Sequence, residues 1–181
     1  LASMGTITSV DEDRILAFGH AMSGSGSSNL PLATGSVEAV IPSYRRSFRL
    51  ASIDRIVGKM TQDRQAGIVG RLGEEAPMFD CTVHVSGDRE RVFQYRVAGY
   101  WRIAPIASFY ATVASTLRWE GQGAPETILG ISRIKIKGRK KPILLKNLYV
   151  GLSPVQPAQD LVLEPLSRLT LNPFREIQID G

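Results

Sequence analysis

The chain has 181 residues, 43% of them apolar and 22% charged, which is enough for a core and excludes wholesale disorder. Twenty-two Lys and Arg against 17 Asp and Glu leave a net charge of +5, which permits an anionic partner without requiring one. One Cys and two His exclude an internal disulfide and a multi-cysteine zinc site, and no apolar run approaches the about 18 residues of a membrane span.

No metal, cofactor or transmembrane segment is therefore expected. Leu1-Ala2-Ser3-Met4 is neither a signal peptide nor a natural start, so the chain reads as a piece of something longer. Thr6–Val10 and Arg14–Phe18 flank the polar turn Asp11-Glu12-Asp13, a hairpin pattern. Ser23 to Asn29 holds only Ser, Gly and Asn and reads as a loop. Strand patterns follow at Ser36–Ile41, Ser47–Leu50, Ile53–Lys59, Gly67–Val69 and Met78–Val85, at a spacing typical of a barrel or sandwich.

The second half changes character. Arg91–Val97 alternates like a half-buried strand, and Ile106, Phe109, Tyr110, Val113 and Leu117 recur at helical spacing after Pro105. Thr127–Lys137 and Pro142–Val150 bracket the turn Gly138-Arg139-Lys140-Lys141 as a second hairpin. Pro157 opens another helical pattern, in which Pro165 predicts a kink. Glu176–Ile179 is a last strand pattern. A boundary near Ser86-Gly87-Asp88 separates a β-barrel region, 1–86, from an α+β region, 87–181. The expected class is mainly β with some α.

Chemistry concentrates at Ala17-Phe18-Gly19-His20. A histidine ending an apolar strand before a loop suits general acid–base work at a rim, or a corner satisfied by a backbone carbonyl. Ser23, Ser25, Ser27 and Ser28 follow it, but no strand–turn–helix elbow singles out one as a nucleophile. Asp63 is placed to orient a histidine, to pair with Arg64, or to cap a turn. In Met78–Val85 the alternation puts Cys81 on an apolar face and His84 on a solvated one. Lys135, Lys137, Arg139, Lys140 and Lys141 form a basic hairpin without the interleaved aromatics that stack bases, so nucleic acid is not the expected partner.

Three motifs in order, Gly5-Thr6-Ile7-Thr8, Ala17-Phe18-Gly19-His20, and Gly58–Arg64 with Gly67-Ile68-Val69-Gly70, resemble the stage IV sporulation protein B (SpoIVB) serine peptidase family over about residues 4–85. The resemblance implies a bacterial, extracytoplasmic endopeptidase with a chymotrypsin-like β-barrel, acting on protein or peptide substrates, with His20 as the general base. The family's nucleophile motif, Gly-Met-Ser-Gly-Ser-Pro, does not occur in residues 1–181. Met22-Ser23-Gly24-Ser25-Gly26 looks similar but follows the histidine directly and lacks the proline. The expectation is the base-bearing part of a serine peptidase, inert alone and completed by the rest of its parent chain. The alternatives are a non-catalytic β-rich binding or scaffolding module, and an anion-binding domain working through Lys135–Lys141.

Overall fold

A computed structural model describes residues 3–45, 47–87, 89–120, 126–151 and 155–181. The chain is mainly β with some α, and its contacts divide it between Pro77 and Met78 into two units. The Ser86-Gly87-Asp88 stretch, expected to be the boundary, instead connects two paired strands; Asp88 itself lies outside the described residues.

The first unit is one antiparallel sheet. β1 (Ile7–Asp11) and β2 (Arg14–Ala17) form the expected hairpin, with Glu12 at a φ of 52° in its turn. β3 (Gly26–Ile41), β4 (Phe48–Arg64) and β5 (Gly67–Leu72) complete the order β1-β2-β5-β4-β3. Ile15, Ala17, Met60 and Ile68 form its core, with Phe18, Met22, Leu30, Leu32 and Leu72 packed around them. The sheet stays open, ending at β1 and β3, and no closed barrel forms among the described residues.

The strand bounds depart furthest from the sequence pattern in β3 and β4, and Glu176–Ile179, expected as a strand, forms only a single bridge at Ile179. Gly26 to Asn29, expected in a loop, belong to β3 because β4 offers a ladder, with Gly26 opposite Asp63 and Ser27 opposite Gln62. The patterns at Ser47–Leu50 and Ile53–Lys59 are one strand, β4. Beyond the reach of β5, residues 33–41 and 48–56 pair only with each other as a bulged ribbon, exposed along its length.

The second unit sets two hairpins against helices. β6 (Met78–Ser86) pairs β7 (Glu90–Ala98), and α1 (Ala104–Glu120) packs on them, with Pro105 in its first turn where a missing N–H costs nothing. Phe79, Val97 and Ala104 make that core, and the Tyr95 hydroxyl lies 2.9 Å from Ser115 Oγ. β8 (Glu126–Ile134) pairs β9 (Ile143–Gly151), and Ile134 and Ile136 pack with Leu166. Ile179 touches both cores, held by a bridge to Ile136.

The helical run predicted from Pro157 changes its hydrogen bonding ahead of Pro165. α2 (Val155–Ala158) passes into a π-helical turn (Gln159–Leu163) and then α3 (Glu164–Thr170). The Glu164 N–H bonds back to the Gln159 carbonyl, and the widened turn comes just before the proline that has no N–H to give.

Candidate functional site

One row of the sheet builds the site. Ala17 of β2 lies opposite Ile68 of β5, Ile68 opposite Asp63 of β4, and Asp63 opposite Gly26 of β3. β2 and β3 are thus three places apart, roughly 14 Å at the usual strand spacing. Residues 18–25 must cross that distance over the ends of β5 and β4, so their backbone N–H groups leave the ladder and need other partners.

Asp63 supplies them. Only 1% exposed, its carboxylate accepts the Met22 N–H at 2.8 Å on one oxygen. The other oxygen accepts the Ser23 N–H and hydroxyl, both at 2.8 Å, with longer bonds from the Ser25 N–H (3.4 Å) and hydroxyl (3.3 Å). Burial pushes this carboxyl up, but the hydrogen bonds from Ser23, Met22 and Ser25 outweigh it and lower the pKa to about 2.

That shift has a stability consequence. A carboxyl lowered from 3.8 to about 2 stabilises the fold fully above its unfolded value and loses that contribution as pH falls through about 2. The contribution is on the order of 2 kcal/mol. Acid unfolding of the sheet, followed by circular dichroism from pH 5 to below pH 2, should show this loss, and Asp63→Asn should remove it. Asp13, lowered by its surface hydrogen bond to Arg71, remains in both proteins as background. An unchanged acid limb in Asp63→Asn would contradict the assignment.

His20 stands on the exposed side of the same crossing. Its Nδ1 lies 2.7 Å from the Ala21 carbonyl, which can only accept, so the neutral ring carries its proton on Nδ1. Nε2 keeps its lone pair and has no hydrogen-bond partner among the described residues. This is the tautomer a general base needs, fixed by a backbone carbonyl in place of a carboxylate.

The backbone entering His20 is strained. Phe18 has φ 77° and Gly19 φ 68°, and a left-handed aromatic residue costs on the order of 1–3 kcal/mol unless its surroundings enforce it. They do. The Phe18 N–H donates to the Thr6 carbonyl at 2.9 Å, its side chain packs on the core, and its ring fills the space that a Cβ on Gly5 would occupy. On the other side Gly67, at φ 148°, brings the β4–β5 turn so close that a Cβ there would stand 2.8 Å from the Ala17 carbonyl and 3.5 Å from the Gly19 nitrogen.

The sequence-derived candidates therefore separate. Asp63 bonds the loop, and no bond joins it to His20 or to Arg64, whose Nε donates to Gln62 at 3.3 Å. The Ser23 and Ser25 hydroxyls turn to Asp63. His84 is exposed and Cys81 half-buried, as the alternation predicts, and burial pushes the pKa of the Cys81 thiol up. Among the described residues no group of three or more His, Cys, Asp or Glu could hold a metal, and no helix is long and apolar enough to cross a membrane.

Phe18 and Gly19 were not legible as special positions. Asp63 left one usable signal, that a Ser/Gly crossing rich in N–H donors requires an acceptor, but alternation through Gly58 and Met60 does not turn Asp63 inward; the irregularity between Met60 and Gln62 does. Comparison with protein-family models, with curated proteins and with solved structures finds no match for this chain.

Proposed function

We propose that this chain is the histidine-bearing part of a SpoIVB-type bacterial serine endopeptidase that works outside the cytoplasm, with His20 Nε2 as the general base. The carrying observation is the exposed imidazole whose proton is held on Nδ1 by the Ala21 carbonyl, leaving Nε2 unpartnered among the described residues. Ser23 and Ser25 are poor nucleophiles here, because their hydroxyls donate to a carboxylate too acidic to take a proton near neutral pH. The attacking serine then comes from outside these 181 residues, and β1 and β3 are the edges where further strands of a chymotrypsin-like barrel would add.

In the reaction, Nε2 takes the serine proton as its oxygen attacks the peptide carbonyl, then returns it to the leaving amine. A fluorophosphonate probe tests this. The full-length protein carrying this chain should be labelled, and His20→Ala should slow labelling at least about 100-fold. The 181 residues alone should stay unlabelled. Equal labelling of His20→Ala, or none in the folded full-length protein, sinks the proposal.

A non-catalytic binding module is the second reading. The ribbon of β3 and β4, with Val37, Val40, Ile41, Phe48, Leu50 and Ile53 exposed, favours it.

A further inference from the structure

We propose that the outer face of the β8–β9 hairpin, together with its basic turn, docks on an anionic lipid surface. One side of this hairpin packs on the helices through Ile134, Ile143 and Leu145. The side chains of the other side are exposed among the described residues of this unit. Across it Thr127 faces Val150, Leu129 faces Leu148, Ile131 faces Lys146, and Arg133 faces Leu144. Leu129, Ile131, Leu144, Leu148 and Val150 are each between 54% and 83% exposed.

Charge is graded along this face. The end away from the turn is apolar; toward the turn come Arg133 and Lys146, then the exposed Lys135 and Lys137, and at the turn Arg139, Lys140 and Lys141. From Thr127 to Gln159 the sequence holds no Asp or Glu at all, although the whole chain has 17 acidic residues. Seven cations with no acidic residue in their own segment, beside five exposed aliphatic side chains, suit a partner both anionic and apolar. A bilayer surface offers those in adjacent layers, headgroup phosphates over hydrocarbon.

Other occupants fit less well. The outward side chains include no Tyr, Trp or Phe, the residues on which protein hot spots and base stacking depend. Nucleic acid would leave the aliphatic end uncovered. The contact is peripheral and needs no spanning helix.

Vesicle co-sedimentation of the full chain tests the proposal. Vesicles of phosphatidylcholine with about a third phosphatidylglycerol should bind it, and phosphatidylcholine alone should not. Binding should fall at least about tenfold as salt rises to roughly 0.5 M. Lys140→Gln with Lys141→Gln should weaken it about thirtyfold, as expected for two surface cations, while arginine at both positions should restore it. Leu148→Ser with Val150→Ser, both at exposed positions that leave the core intact, should weaken it by a similar factor. Equal affinity for the two vesicle types, or no binding to either, overturns the proposal. So does binding that ignores the Leu148 and Val150 changes, which would mark the turn as a general polyanion or acidic-protein site.

Discussion

Asp63→Ala is expected to cost the sheet about 3 kcal/mol and to lower its urea midpoint by roughly 2 M at neutral pH. The carboxylate accepts from three backbone N–H groups and two hydroxyls, and all five lose that acceptor at once. Hydrogen bonds to a charged group contribute more than neutral ones, and a buried donor left unmet costs its full desolvation. Part of the cost is recovered because Ser23 is exposed and can turn to water, which keeps the figure below a simple sum. Asp63→Asn keeps the shape and one good acceptor, so it should lose about half as much. A shift in Asp63→Ala within the usual surface range, about 0.5 kcal/mol, would show that water already serves this loop.

The consequence reaches His20 through the chain. Met22 is both a donor to Asp63 and part of the core around Ile15 and Met60, so the loop is fixed two residues after the imidazole. Before the imidazole it is fixed by Phe18. The imidazole therefore sits between two anchors, and Asp63 holds one of them, with no bond to the ring.

Most strands were legible because the pattern that makes them is local. Ile15 and Ala17 alternate with exposed neighbours, as do Phe79 and Val85, and these periodicities survive in the structure. The start of β3 was not legible, because Gly26 to Asn29 carry no strand pattern of their own and are held by the register against Gln62 and Asp63. The number and spacing of strands allow a barrel or a sandwich, and the chymotrypsin-like barrel is what the resemblance implies. Spacing cannot reveal which strands are neighbours, and the order β1-β2-β5-β4-β3 leaves two open edges. His20 could be singled out from sequence, but the feature that sets its tautomer is a carbonyl one residue away. No residue type encodes that. It follows from the left-handed Phe18 and Gly19, a conformation set by long-range contacts with Thr6, Gly5 and Gly67.

Gly67→Ala should therefore disturb the histidine from a distance in sequence of almost fifty residues. The added methyl would stand 2.8 Å from the Ala17 carbonyl, a backbone atom that can retreat only by pulling β2 away from β5, and φ 148° is itself unfavourable for alanine. Together these predict a loss of about 2–4 kcal/mol in the stability of the sheet. They also predict a more specific effect. Displacing Ala17 and Gly19 shifts the segment that aims His20 Nδ1 at the Ala21 carbonyl, so the ring should lose its fixed tautomer. Nitrogen-15 spectra of the wild-type imidazole at a pH where it is neutral should show the Nδ1-protonated form predominating, and Gly67→Ala should show a mixture closer to free histidine. A destabilised variant that retains the wild-type tautomer pattern would mean that His20 is oriented by its own short loop alone, and that the glycine after the β4–β5 turn serves only the sheet.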